Sequence, residues 1–386
     1  MEVKMVQEAE KEILSCISPR IRHMIEALML EGKVGVCFGK VRVIDTLTSC
    51  ASVHTYPNCD RFKLIIPYAG QSITWEVLFD CNHPKDPPDF IFGPDDDEFC
   101  PSLEDLHCLR DWDYDDSRSL VEVVAELLEK YRHHQQTLVE RNSRLSFDFN
   151  SLVLQEEITP ADVEIMFSKN EHGKMGCVKF LVKMSIDFSK IPAYLTKDNP
   201  GEDSAMLLLS LPSPESSRVT PQLFLSPKVE HALGGSSSLR IPNFVAGTPL
   251  GDYVHKVCQL LKNKVDIVIQ GHDKKKEYLA SFLSLYGRSV LEYDMENFNK
   301  MSYLFEWNDF FFVIIIEMPL FFPKEQPVFT FQSIYHEHKG KPYTESYNDY
   351  PYSPRWSGTE MAERARSFVL DTVGIFQRTS VQNGQF

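Results

Sequence analysis

Trp75-Glu-Val-Leu-Phe-Asp-Cys-Asn-His-Pro84-Lys-Asp-Pro-Pro88-Asp-Phe-Ile-Phe92 is the stretch that decides the fold, because it occurs twice. The second copy ends Ile314-Ile-Ile-Glu-Met-Pro-Leu-Phe-Phe-Pro323-Lys-Glu-Gln-Pro327-Val-Phe-Thr-Phe331. Both read as an apolar strand followed by Pro-x3-Pro-x3-Phe. The offset is constant: 331 − 92, 327 − 88 and 323 − 84 all equal 239. Alternating Phe90 and Phe92, like Phe329 and Phe331, place aromatics on one face of a strand. The prolines cannot donate to a sheet ladder, so they belong to a rigid connection between strands.

The flanks extend the repeat. Ser119-x-x-Glu122 and Ser357-x-x-Glu360 read as capping boxes before apolar residues at helical spacing. Leu279, Phe282, Leu283 and Tyr286 mark another amphipathic helix, and strands are expected at 290–293, 301–307 and 310–317. A long loop is expected between the strand at 327–331 and the last helix. A degraded third copy fits the middle of the chain, with strands at 178–188 and 205–211. There, Pro221-Gln-Leu-Phe-Leu225 echoes Pro327-Val-Phe-Thr-Phe331. The expected architecture is α+β: repeated antiparallel sheets with flanking helices, in domains 1–139, 140–265 and 266–386.

The chain has 386 residues, 43% of them hydrophobic, enough for two or three ordinary cores. Its net charge of −15 repels phosphate backbones and anionic membrane surfaces, so neither nucleic acid nor membrane is an expected partner. The most apolar run, 310–322, is shorter than the roughly 20 residues of a membrane helix. The start, MEVKMVQEAEKEIL, has no apolar h-region and does not read as a secretory signal. Nine cysteines without a CxxC pair fit reduced thiols in the cytosol or nucleus.

The strand, YP-like turn, double proline, aromatic strand and long loop resemble the ubiquitin-conjugating-enzyme fold and its catalytically dead relatives, the ubiquitin-conjugating-enzyme variants (UEV) and RWD domains. The likeness raises a catalytic reading. Cys108 lies 16 residues after Phe92, the spacing of a conjugating cysteine. The preceding His-Pro-Asn slots, however, hold Glu98, Phe99 and Cys100, so the Asn that would stabilise an oxyanion is missing. The acidic run 95–98 also opposes a thiolate. In the second copy the matching position is Tyr347.

Two metal readings compete with a bystander role. His336-x-His338-x7-Ser346-x2-Asp349 has the spacing of a JAMM zinc motif, in which two His and one Asp bind the metal. Lys339 stands where that motif has Pro. Asp111, Asp113, Asp115 and Glu122 have EF-hand spacing, but Asp116 stands where the sharp turn needs Gly. Neither reading is preferred, and no cofactor is expected.

Pro57-Asn-Cys-Asp-Arg-Phe-Lys-Leu-Ile-Ile-Pro-Tyr-Ala-Gly70, Pro87-Pro-Asp-Phe-Ile-Phe-Gly93, Glu230-His-Ala-Leu-Gly-Gly-Ser-Ser-Ser238 and Tyr350-Pro-Tyr-Ser-Pro-Arg-Trp356 resemble the BRE family. The likeness spans nearly the whole chain, loosest in the first thirty residues and around 336–347. It implies a non-catalytic scaffold of the BRISC deubiquitinase complex and of its nuclear BRCA-associated counterpart. The partners it implies are a JAMM zinc deubiquitinase, an Abraxas-type pseudo-deubiquitinase and a von Willebrand A-like adaptor, with ubiquitin and a serine hydroxymethyltransferase-type targeting factor. It also implies extended, non-degradative ubiquitin chains as substrate, a cytoplasmic and nuclear location, and links to DNA repair, apoptosis and the cell cycle. The alternatives are a zinc deubiquitinase using His336, His338 and Asp349, or a conjugating enzyme using Cys108. Aromatics, Pro and Arg make Tyr350, Pro351, Tyr352, Pro354, Arg355 and Trp356 the leading partner-contact candidates, with Asn58 and Arg61 as a weaker pair.

Overall fold

The computed structural model describes residues 10–49, 58–93, 96, 98–155, 157–169, 175–192, 203–235 and 239–384. Pro57, Asp95, Asp97 and residues 236–238 of the quoted motifs lie outside that set. The fold is α+β, with three antiparallel sheets and flanking helices.

The first sheet runs in chain order through β1 (Arg42–Leu47), β2 (Arg61–Tyr68), β3 (Gln71–Leu78) and β4 (Asp89–Ile91). Alternation drives it: β2 reads half-buried, buried throughout its eight residues. The face formed by Phe62, Leu64, Ile66 and Tyr68 packs with Trp75 and Val77 against α1 (Arg22–Glu31) and α3 (Ser119–Glu140). Between β4 and α3 lies the short α2 (His107–Arg110).

The third sheet has the order β13-β12-β11-β10-β9. Its strands are β9 (Val290–Tyr293), β10 (Lys300–Trp307), β11 (Phe310–Glu317), β12 (Val328–His338) and β13 (Lys341–Tyr347). The offset of 239 holds in three dimensions. β2 and β10 start at 61 and 300, β3 and β11 end at 78 and 317, and α3 and α7 (Gly358–Asn383) start at 119 and 358. Each difference is 239. Arg61 pairs with Leu78 as Lys300 pairs with Glu317. The connecting turns match as well. Ala69 and Gly70 have φ of 47° and 73°, and Asn308 and Asp309 have 51° and 61°. Two successive positive φ values are what a two-residue turn needs to follow the twist of its strands.

The middle sheet runs β5 (Val163–Lys169), β6 (Met175–Lys183), β7 (Ala205–Leu211) and β8 (Thr220–Leu225). In β7 every residue but Ser210 is buried, so the strand is covered on both faces. Helix α4 (Ser143–Val153) precedes this sheet and α5 (Pro227–Ala232) follows it. Helix α6 (Leu250–Tyr286) is one 37-residue helix that runs through residue 265.

By compactness the chain divides into two units. One holds 1–186, 204–226 and 241–259, and so contains the first two sheets. The other holds 187–203, 227–240 and 260–386, with the third sheet. Its core is unusually aromatic: Phe312, Phe329, Phe331, Tyr278, Phe282 and Phe376 are all below 2% exposed.

Three local expectations need correction. The stretch between 331 and the last helix is not a long loop, because β12 continues to His338 and turns at Lys339–Gly340 into β13. Buried Tyr343, alternating with exposed Pro342 and Thr344, supplies the strand pattern. Strand β6 stops at Lys183 rather than 188, since the Asp187 carboxylate accepts the Ser189 N–H (3.0 Å) and hydroxyl (2.6 Å) in a local turn. Ser119 is not the cap of α3. It lies inside the first turn, and its hydroxyl donates to the Asp113 carbonyl at 2.7 Å. Ser357 caps α7 as expected, accepting the Glu360 N–H at 3.2 Å.

Candidate functional site

Cys108, the candidate conjugating cysteine of the first repeat, sits in a closed position. Cys108 is half-buried on α2. The Glu126 carboxylate reaches it from α3 and accepts the N–H of His107 and of Cys108, each at 2.9 Å. Those are the helix-start donors that would otherwise stabilise a thiolate. Burial, then the hydrogen bond to Glu126 and its charge, pushes the Cys108 thiol up to about 11. At neutral pH the thiol is therefore held in its protonated form. In the His-Pro-Asn slots, Phe99 turns inward and plugs the core. Its ring lies 4.6 Å from Phe92 and 5.1 Å from Tyr131. Cys108→Ser is therefore expected to leave any ubiquitin-linked function of the chain unchanged. A thioester to ubiquitin, seen on a non-reducing gel and lost in that variant, would contradict this.

The zinc candidates are scattered by the β12–β13 hairpin. His336 is buried and its Nδ1 lies 3.2 Å from the Ser333 hydroxyl, whereas His338 is exposed at the turn. Phe329 pairs with Tyr347 at the other end, so Asp349 sits roughly 25–30 Å along the strand from His338. Among the described residues no group of three or more His, Cys, Asp or Glu side chains could hold a metal ion. The acidic loop is spent on local bonds. Asp113 accepts the Asp115 N–H at 3.0 Å, Asp116 accepts the Arg118 N–H at 2.8 Å, and Asp111 pairs with Arg110. No described helix is long and apolar enough to cross a membrane.

The segment 350–356 is split between anchors and outward groups. Tyr350 is buried and donates to the Pro327 carbonyl at 3.0 Å, and Tyr352 donates to the Pro323 carbonyl at 2.6 Å. Both acceptors belong to the Pro-x3-Pro element, so the two tyrosines pin the loop to the connection ahead of β12. Pro351, Pro354 and Arg355 are exposed and Trp356 is half-exposed, with the Arg364 guanidinium 5.4 Å above its ring. In the first repeat, Asn58 is half-buried and Arg61 is ion-paired with Glu76 on the adjacent strand.

Comparison with known proteins fixes the family. The family model described as "Brain and reproductive organ-expressed protein (BRE)" matches residues 15–337. The chain belongs to the BRE family. Full-length relatives agree. This BRE-family chain is 46% identical over 380 residues to a Branchiostoma floridae protein named "BRISC and BRCA1-A complex member 2", covering 97% of this chain and 99% of that one. A Danio rerio protein of the same name is 44% identical over 378 residues, covering 96% and 97%. Of the four stretches that carried the resemblance, Pro57–Gly70, Pro87–Gly93 and Glu230–Ser238 lie within the matched residues and Tyr350–Trp356 lies beyond them. Sequence reasoning missed Glu126, whose role depends on a carboxylate 18 residues from Cys108 folding back onto it.

Proposed function

We propose that this chain is a non-catalytic scaffold subunit of a deubiquitinase assembly of the BRISC and BRCA1-A kind. The observation that carries the reading is end-to-end similarity to proteins bearing that name, at 44–46% identity. The blocked Cys108 and the separated His336, His338 and Asp349 support a chain that holds partners and leaves the chemistry to another subunit. The duplicated strands and helix at an offset of 239 support UEV-like domains at 1–139 and 266–386, with a divergent RWD/UEV-like one at 140–265.

In this reading the catalytic partner is a JAMM zinc deubiquitinase, accompanied by an Abraxas-type pseudo-deubiquitinase and a von Willebrand A-like adaptor. The assembly cleaves extended, non-degradative ubiquitin chains. Ubiquitin and a serine hydroxymethyltransferase-type targeting factor are further partners. The work is done in cytoplasm and nucleus, with DNA repair, apoptosis and cell-cycle control as its contexts. Docking falls to Pro351, Pro354, Arg355 and Trp356, held in place by Tyr350 and Tyr352; Asn58 and Arg61 form a lesser surface. Arg and Trp at such a spot are typical anchors, and truncating one costs about 2 kcal/mol or more of binding.

The test is reconstitution. Arg355→Glu combined with Trp356→Ala should weaken capture of a partner subunit about 30-fold or more while the fold, read by circular dichroism, is unchanged. Unaltered capture would remove this surface from the proposal. Ubiquitin-chain cleavage by the isolated chain, dependent on His336, would overturn the scaffold reading itself.

A further inference from the structure

Glu164 is among the most deeply buried charged residues of the chain, at 1% exposure, and neither the catalytic nor the docking readings use it. It lies on β5 of the middle sheet, yet its partners come from the first repeat. Oε1 accepts the Val36 N–H at 2.6 Å, and Oε2 accepts the Ala69 N–H in the β2–β3 turn at 2.8 Å. The Cys37 thiol also bonds to it, and that thiol is held in its neutral, donating form: burial first, then Glu164 itself, pushes it up to about 12. Gly70 N–H in turn donates to the Cys37 sulfur at 3.2 Å.

The backbone around the carboxylate is shaped to admit it. A Cβ on Gly35 would stand 2.7 Å from Oε1, so any larger residue there would push the carboxylate off its donors. A Cβ on Gly70, at φ +73°, would meet Leu208 of β7 at 3.0 Å. The apolar side of the same junction is continuous. Leu181, Met206 and Leu208 of the middle sheet belong to one core with Trp75, Tyr68 and Leu128 of the first repeat. A buried carboxylate with two backbone donors and a thiol loses all three if the sheets part, and water must then compensate.

We infer that Glu164 is an inter-repeat latch that makes the first and middle sheets one cooperative folding body, so that neither opens while the other stays closed. Two conjugating-type repeats joined only by a linker would open independently. Here the hydrogen-bonded carboxylate and the shared core prevent that, and the scaffold presents the two repeats as a single rigid platform. The latch belongs to the chain itself and operates whether or not a deubiquitinase is its partner.

The experiment is native-state hydrogen exchange with mass spectrometry on the full chain along a urea series. In the wild-type chain, the slow amides of 61–78 and 205–211 should lose protection along one common urea dependence. Glu164→Gln keeps the side-chain shape but faces its amide toward a backbone N–H. It should speed exchange in both segments together, about 10- to 100-fold, and leave 300–317 unchanged. Separate urea dependences for 61–78 and 205–211 in the wild-type chain would overturn the latch, as would a Glu164→Gln effect confined to β5. Should the variant fail to fold, the wild-type urea series decides alone.

Discussion

Tyr350→Ala should strip most of the protection from the third sheet, whereas Tyr350→Phe should cost little. The ring lies 5.0 Å from Phe329 edge-on, 5.1 Å from Phe368 in a stack, and 6.3 Å from Tyr352. It is 8% exposed, so truncation opens a cavity in the aromatic core. Removing a buried aromatic costs about 3–5 kcal/mol. The Phe variant loses only the hydroxyl's bond to the Pro327 carbonyl, about 1 kcal/mol. Hydrogen exchange over 310–331 should therefore accelerate more than 100-fold in the Ala variant and less than 10-fold in the Phe variant. Equal effects would mean that the hydroxyl, rather than the ring, secures the loop. The contrast also separates support from recognition: in the docking surface proposed above, Tyr350 would hold the loop while Pro351, Pro354, Arg355 and Trp356 face outward.

Lys275 is expected to make the second unit more stable as pH rises from about 8 toward 10.5. The side chain is 2% exposed on α6, and its Nζ donates to Asn299 Oδ1 at 2.6 Å. Burial lowers its pKa from 10.5 to about 8, against the opposing pull of Asp294. A base whose folded pKa is depressed binds fewer protons folded than unfolded between those two values. The penalty is therefore full below pH 8 and is relieved as pH climbs to 10.5. A shift of that size corresponds to about 3 kcal/mol. Lys275→Met removes the charge and should flatten this dependence, so the gap between variant and wild type should shrink or reverse as pH rises. Urea denaturation at pH 7 and pH 10, followed by exchange over 300–317, measures it. Parallel pH dependences in the two proteins would contradict the assignment.

The repeat was legible because its signals are local. Pro84-x3-Pro88-x3-Phe92 and its copy combine proline's missing donor with strand alternation, and the pairing of β2 with β3 follows the same count as β10 with β11. Strand β13 was hidden because KPYTESY carries few apolar residues. It forms by closing a tight turn at Lys339–Gly340 and burying Tyr343, neither of which needs a strong apolar pattern. The cap at Ser357 was readable and the one at Ser119 was not, because Asp113 and Asp116 turn back on the chain and start the helix earlier. Of the candidate site, composition singled out Tyr350–Trp356 as the leading contact segment. Which of its side chains face inward depended on the carbonyls of Pro323 and Pro327, which only the fold brings near. Glu126 and Glu164 were invisible for the same reason: each is an ordinary acidic residue in sequence and meets its donors only across elements.

The most direct test of the account is native affinity purification of the intact chain, with quantification of every co-purifying subunit and an assay of ubiquitin-chain cleavage. The account predicts a zinc metalloprotease and its pseudo-enzyme companion at near-equal amounts to this chain, with cleavage abolished by a chelator and indifferent to Cys108→Ser. A chain that emerges alone, or cleavage that depends on its own Cys108 or His336, would contradict it.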